Sequence, residues 1–120
     1  MEKATRFEEL WIWQQARALV QQIYGDCAMG PACKDFAFRD QIRNAGLSIM
    51  SNVAEGFERS TDADFARFLD IAKGSCGEVR SLYYIAEDLH YLDSDTADDR
   101  RNTLRRLAAG LASLTAYLRP

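Results

Sequence analysis

Apolar residues recur at intervals of three and four along four segments of the chain, which is the spacing of one face of an α-helix. This spacing predicts helices over residues 8–26, 35–58, 62–90 and 95–118. No segment shows the alternation of a strand. The fourth helix is the most regular, because its leucines repeat at alternating intervals of three and four, as in a packed helical seam. These leucines are Leu104, Leu107, Leu111, Leu114 and Leu118.

The predicted helix ends carry recognisable signals. GDCAMGPACKD has two glycines and a proline and is predicted to be a loop. Asp35 is a candidate N-cap for the second helix. Thr61, with Asp64 three residues later, resembles a capping box for the third helix. Ser94 or Asp95 can cap the fourth.

Four helices joined by short links favour an antiparallel up-and-down four-helix bundle. The chain has 120 residues, and 48% of them are apolar. That length suits one domain, and that apolar fraction suffices for a packed core. We therefore expect an all-α fold in which residues 1–120 form a single bundle domain.

A polar stripe follows the second helix beside its apolar face. Ser48, Asn52, Glu55 and Arg59 are spaced by four, three and four residues, which places them on one side of the helix. Such positions in a bundle are covered by a neighbouring helix, so a charge there needs a partner. The stripe therefore indicates either a polar network or a site of chemistry.

The third helix contains a matching irregularity in AKGSCGEV. Gly74 and Gly77 lie in the helix interior, where each glycine costs about 1 kcal/mol relative to alanine. Two glycines so close together predict that another helix backbone approaches there. Ser75 and Glu78 flank them.

Antiparallel geometry tests whether the two polar regions meet. If the turn centres on residues 59 and 60, facing residues have numbers that sum to about 119. Glu78 then has Arg43 as a basic partner, and Glu55 can reach Arg59 on its own helix. We predict a buried polar network that sets helix register, made of Arg43, Ser48, Asn52, Glu55, Arg59, Ser75 and Glu78.

The alternative is a small-ligand, metal or catalytic site built on Glu55 and Glu78. Di-metal bundles take Glu-x-x-His pairs from two helices, whereas His90 is the single histidine here. No nucleophile triad and no nucleotide-binding loop is present. We expect no enzyme activity, no cofactor and no bound metal.

Charge and cysteine content narrow the cellular context. The net charge is −3, which is unlike a strongly basic nucleic-acid-binding chain. The three cysteines have no metal-binding spacing, and no signal peptide precedes them, so we expect reduced thiols and a cytoplasmic protein. No apolar run approaches the length of about 18 residues that a membrane span needs.

Three segments together resemble a known family. FEELWIWQQARALVQQIY, FAFRDQIRNAGLSIMSNVAEGFERS and FARFLDIAKGSCGEVRSLYYIAEDLHYL are similar to the bacterial four-helix bundle proteins. These are also called intervening-sequence proteins, because some are encoded inside insertions in large-subunit ribosomal RNA genes. The similarity covers about residues 7–92, and the patterns SIxxNVAEGxxR and FxxFLxIAxGSxxE occur in order.

The resemblance implies a bundle that assembles as a homopentameric ring. A related protein, the accessory variability determinant of diversity-generating retroelements, is a pentamer that binds nucleic acid and a reverse transcriptase. The resemblance therefore implies a second copy of the chain as a partner, and nucleic acid or a nucleic-acid enzyme as another. This chain departs from the family pattern at Asn44, Gly30 and His90, where Arg, Phe and Gly are usual.

Basic residues in two segments are the candidates for nucleic-acid contact. Arg101 and Arg105 are four residues apart, as are Arg39 and Arg43, so each pair shares a helix face. The alternative is a solvated face with Asp–Arg pairs along the helix. The candidate nucleic-acid contacts are Arg39, Arg100, Arg101, Arg105 and Arg106.

Trp11 and Trp13 cannot both face one core, because two residues turn a helix by more than half a revolution. We expect one of them at a subunit interface or beneath a neighbouring loop. Taken together, the sequence predicts a non-enzymatic, homo-oligomeric interaction or scaffold protein with possible association with RNA or DNA. A ligand-binding or catalytic bundle is the alternative.

Overall fold

The computed structural model describes residues 3–120, and within them every regular element is helical. A single 3-10 turn, Phe7–Glu9, precedes the first α-helix. The α-helices are α1 (Trp11–Asp26), α2 (Pro31–Lys34), α3 (Phe36–Phe57), α4 (Asp62–Asp88) and α5 (Ser94–Leu118).

The four long helices pack as an elongated bundle of 44 × 22 × 19 Å. Each contacts its two neighbours in the cyclic order α1, α3, α4, α5. Neighbours run antiparallel, because contacts such as those of Gly56 with Phe68 and of Gly110 with Trp11 join the later part of one helix to the first part of its neighbour. The predicted bundle arrangement is therefore present in the single chain.

Side-chain caps define where several helices begin. Asp35 accepts a hydrogen bond from the Phe38 amide at the start of α3, and Thr61 accepts one from the Asp64 amide at the start of α4, as the sequence predicts. The cap of α5 is different from the prediction. Asp93, rather than Ser94 or Asp95, accepts the bond from the Thr96 amide.

The connection between α1 and α3 is more ordered than a loop. Pro31 opens the one-turn helix α2, where a missing amide hydrogen costs nothing and the ring presets the backbone. Arg39, the fourth residue of α3, donates from Nη1 to the Cys33 carbonyl at 3.1 Å. The predicted loop thus contains a short helix held against α3.

The core follows the predicted apolar stripes. Its central residues are the fully buried leucines and isoleucines of α1, α3 and α5, together with Tyr83, the largest fully buried side chain. Arg101 is the one charged residue of the described chain that is buried with them, at 5% exposure. A buried tyrosine and a buried arginine both need polar partners, which are described below.

Candidate functional site

A short polar contact joins the middle of α3 to the middle of α4. The hydroxyls of Ser48 and Ser75 are 2.9 Å apart, and the Asn52 amide donates to the Ser48 carbonyl at 2.8 Å and to its hydroxyl at 3.0 Å. All three side chains are half-buried. These serine and asparagine side chains are the part of the predicted network that the structure brings together.

The charged residues assigned to that network lie elsewhere. Glu55 pairs with Arg59 at 3.4 Å, but their side chains are 59% and 43% exposed, so this pair is a surface contact. Glu78 is exposed, and within residues 3–120 it makes no ion pair. Arg43 stacks on the Tyr24 ring, 4.7 Å from its centroid, instead of meeting Glu78. The prediction of a buried charged network was wrong.

The register of α3 against α4 explains part of this difference. The numbers of Ser48 and Ser75 sum to 123, rather than the predicted value near 119. Side chains tilt toward the N-terminus of their helix, so each covers a spot about one position before its own Cα. In an antiparallel pair of helices, both tilts raise the sum of the residue numbers of the two side chains that meet. The polar residues therefore slide past the predicted partners by about one helical turn.

The glycines of α4 also differ from the prediction. A Cβ added at Gly74 or Gly77 would meet nothing within 4 Å, and both residues are exposed. Helices of the chain approach closely at other glycines. A Cβ at Gly46 would lie 2.5 Å from Ile23 Cδ1, and one at Gly56 would lie 2.7 Å from Phe68 Cβ. Gly74 and Gly77 therefore have no packing role within the chain.

A polar cluster that the sequence did not predict links α1, α4 and α5. Asp26 receives two hydrogen bonds from the Arg100 guanidinium, at 2.9 and 3.1 Å, and one from the Tyr83 hydroxyl at 2.7 Å. Burial and the adjacent Asp26 carboxylate raise the pKa of Tyr83, and the same carboxylate raises the pKa of Arg100. The signal was Tyr83 itself, since a tyrosine on a core stripe requires a buried acceptor for its hydroxyl.

Arg101 forms a second buried contact beside this cluster. Its Nη2 lies 2.7 Å from Glu87 Oε1, its Nη1 donates to the Tyr83 carbonyl at 3.4 Å, and its guanidinium covers the Tyr84 ring at 4.2 Å. Its side chain is 6% exposed. Arg100 and Arg101 therefore hold helices together, and their side chains, 16% and 6% exposed, offer less surface to nucleic acid than the sequence led us to expect.

The other candidate basic residues remain at the surface. Arg39 is paired with Asp40 at 3.2 Å and lies over the Phe36 ring. Arg105 and Arg106 are exposed on α5, where they donate to Asn102 and Thr103 one turn earlier. Within the described residues, neither Arg105 nor Arg106 has a carboxylate partner.

The two tryptophans take different positions. Trp11 is 49% exposed and covers Gly110, where a Cβ would lie 2.8 Å from its ring. Trp13 is half-buried and stacks with Phe7 and Arg17. Trp11 also lines an apolar groove of about 1030 Å³ at the end of the bundle, with Phe65 and Tyr117.

One outer face of α4 is apolar and has no partner in the chain. Ile71, Ile85 and Leu89 are 43%, 45% and 49% exposed. Gly74, Glu78 and Ser81 lie between them on the same helical face, because successive residues of this set are three or four positions apart. We call this the α4 face, and it consists of Ile71, Gly74, Glu78, Ser81, Ile85 and Leu89.

A second outer face lies along the seam of α1 and α3. Tyr24, Phe36 and Leu47 are 40%, 62% and 37% exposed on it, and three arginines stack on its aromatic rings. None of its ten residues is acidic. We call this the α1–α3 face, and it consists of Trp13, Arg17, Val20, Tyr24, Phe36, Arg39, Arg43, Leu47, Met50 and Ala54.

Ligand-binding and catalytic arrangements are poorly supported by the geometry. Among residues 3–120, no three His, Cys, Asp or Glu side chains are grouped so that they could hold a metal ion. Glu55 and Glu78 are both exposed and on different helices, and neither lines the apolar groove at the end of the bundle. No helix of the described residues combines the length and apolarity of a membrane span.

Comparison with known proteins identifies the family. The model of the 23S rRNA-intervening sequence protein matches residues 8–113. The chain belongs to the 23S rRNA-intervening sequence protein family. This match includes both polar segments of α3 and α4, and it confirms the resemblance drawn from their sequence patterns.

A solved structure supports the fold of this intervening-sequence protein. A protein of unknown function from the S23 ribosomal protein family of Bacteroides thetaiotaomicron superposes with a TM-score of 0.80. The two chains are 20% identical, and the match covers 88% of this chain and 95% of the other. Comparison with curated proteins finds no match. The family and the helical fold are therefore shown, whereas the comparisons assign no activity.

Proposed function

We propose that this intervening-sequence protein is a non-enzymatic scaffold that works as a homo-oligomer, with the α4 face as an assembly surface. The observation that carries the proposal is Gly74, an exposed glycine in the interior of α4. It costs about 1 kcal/mol of helix stability relative to alanine, and a Cβ added there would meet nothing of its own chain within 4 Å. A helix of another molecule gives Gly74 a packing role.

The apolar residues around Gly74 support the same proposal. Ile71, Ile85 and Leu89 expose roughly half of their surface, which is unfavourable for a surface that stays in water. A stripe from Ile71 to Leu89 is about 27 Å long, which suits packing against a whole helix. The family resemblance suggests five copies as the size of the oligomer.

Light scattering coupled to size exclusion tests the proposal at micromolar concentration. We expect a mass near five chains for the wild type and a monomer for Gly74→Leu. Because Gly74 is exposed in the single chain, the same substitution is expected to keep the helical circular-dichroism spectrum and to raise helix propensity.

Gly25→Leu is the matched control. Gly25 is also exposed in a helix with nothing within 4 Å, but it lies outside the α4 face. This control is expected to assemble like the wild type. A monomeric wild type would refute the proposal, and an oligomeric Gly74→Leu variant would remove the α4 face from it.

Association with nucleic acid is a second candidate function, supported by Arg105 and Arg106. They are adjacent, exposed and free of carboxylate partners among residues 3–120, and an oligomer repeats them in every copy. Filter binding to structured RNA or DNA is expected to weaken steeply as salt rises, and to be lost in the Arg105→Glu, Arg106→Glu variant. Absence of binding at low salt would refute this function.

A further inference from the structure

We infer that the α4 face of one copy packs on the α1–α3 face of the next, with Glu78 paired to Arg43 at the centre of the contact. This inference rests on the proposed homo-oligomer and specifies which surfaces meet. The two faces differ, so the contact is heterologous: each copy uses one face to bind and offers the other to a further copy.

The two faces carry complementary charges. The α1–α3 face has three arginines and no acidic residue, and one of these arginines, Arg39, pairs with Asp40. Arg17 and Arg43 make no ion pair within residues 3–120, and Arg43 Nε is buried without a hydrogen-bond partner. On the α4 face, Glu78 is exposed and unpaired within the same residues. Each face thus supplies the charge that the other lacks.

The spacing of side chains is the same on the two faces. Glu78 lies seven residues from Ile71 and seven from Ile85, and Arg43 lies seven residues from Phe36 and seven from Met50. Seven residues are two helical turns, or about 10.5 Å. When Glu78 is placed opposite Arg43, both isoleucines therefore face an apolar side chain, whichever way the two helices run.

Gly74 favours one direction of packing between the two helices. With the helices antiparallel, Gly74 lies opposite Leu47, so a side chain that is 37% exposed in the single chain meets a position without a Cβ. With the helices parallel, Gly74 would face Arg39, which already pairs with Asp40. Rotation about an axis parallel to the bundle keeps the direction of every helix, so α4 of one copy and α3 of the next are antiparallel, as α3 and α4 are within one chain. Such a rotation can close a heterologous contact into a ring.

Protein partners are favoured over other occupants by the chemistry of the α1–α3 face. Exposed tyrosine, phenylalanine and arginine, with lysine and acids depleted, are typical of protein interfaces. A stacked arginine keeps its planar edge available for a carboxylate, which a glutamate at the centre of the α4 face provides. The length of the two stripes is the same, about 27 Å each, so neither face is left partly uncovered.

Mixing two blocked variants tests the inference. Ile85→Glu alters only the α4 face, and Phe36→Glu alters only the α1–α3 face, where the side chain is 62% exposed. Each variant is expected to be monomeric alone. An equimolar mixture is expected to form a dimer of one copy of each, because a single intact pair of faces remains. Glu58→Arg, an exposed change at the C-cap of α3 and outside both faces, is the control and should assemble normally.

Charge exchange tests the central pair. Glu78→Arg and Arg43→Glu are each expected to weaken assembly about 10-fold or more, and the double exchange is expected to restore most of it. Thermal unfolding of each variant separates lost assembly from lost folding, since Arg43 also stacks on Tyr24.

The outcomes distinguish this inference from the proposed function. A monomeric wild type would overturn both. A wild type that assembles while Phe36→Glu also assembles would overturn the inference and leave the scaffold proposal intact. The inference is also overturned, and the scaffold proposal kept, if the two monomeric variants form no dimer when mixed. The same is true if Phe36→Glu abolishes binding of RNA or of an acidic peptide but leaves self-assembly unchanged.

Discussion

Replacing His90 with glycine is expected to stabilise the protein. His90 follows the end of α4 with a φ of +59°, and it is the one non-glycine residue among residues 3–120 with a positive φ. The His90 amide donates to the Glu87 carbonyl at 3.0 Å, and the Tyr91 amide donates to the Ala86 carbonyl at 2.8 Å. This pair of bonds is the Schellman arrangement, in which glycine is preferred at the left-handed position.

The magnitude follows from the backbone conformation. A left-handed residue with a Cβ costs about 1–2 kcal/mol, whereas glycine loses roughly 0.5–1 kcal/mol more entropy on folding. The net gain is therefore about 0.5–1 kcal/mol. For 120 residues, an unfolding entropy of about 2.1 cal/mol/K per residue converts this into a rise of about 2–4 °C in melting temperature.

Urea unfolding and thermal melts of the wild type, His90→Gly and His90→Ala measure the effect. The alanine variant keeps the unfavourable φ, so it is expected to show no gain and serves as the control for loss of the exposed imidazole. If His90→Gly were no more stable than His90→Ala, backbone strain at this position would not contribute to stability. The wild type and both variants are compared in the same oligomeric state, because assembly adds to the apparent stability of the fold.

Two further predictions concern the core. Gly46→Ala is expected to destabilise the fold by about 1 kcal/mol in urea unfolding, since its Cβ would lie 2.5 Å from Ile23 Cδ1. In an Ile23→Val background the same substitution is expected to be neutral or favourable, and an equal cost in both backgrounds would contradict the contact. Burial raises the pKa of Cys76 to about 12, so a thiol reagent at pH 8 is expected to leave Cys76 unmodified until urea is added. The thiol of the unfolded chain ionises at lower pH than the buried thiol, so the free energy of unfolding is expected to fall as pH rises from about 9 toward 12. Rapid labelling of Cys76 in the native protein would refute the burial on which both expectations depend.

The helices and several of their ends could be predicted from the sequence, because they depend on interactions within a few residues. Apolar spacing of three and four placed four long helices, and Asp35 and Thr61 cap α3 and α4 through bonds three residues long. The same local patterns, in α3 and α4, carried the family assignment that comparison confirmed.

The contacts between helices were decided by tertiary packing. Asp26 and Arg100 are far apart in sequence and meet only because α1 and α5 are neighbours, and Tyr83 reaches them from α4. The residue that Ser75 contacts on α3 lies about one helical turn from the predicted one. The reason is that the tilt of side chains and the volumes of the core residues determine the axial offset between two packed helices. The exposed position of Gly74 depends in the same way on which side of α4 its neighbours cover, which periodicity alone does not determine.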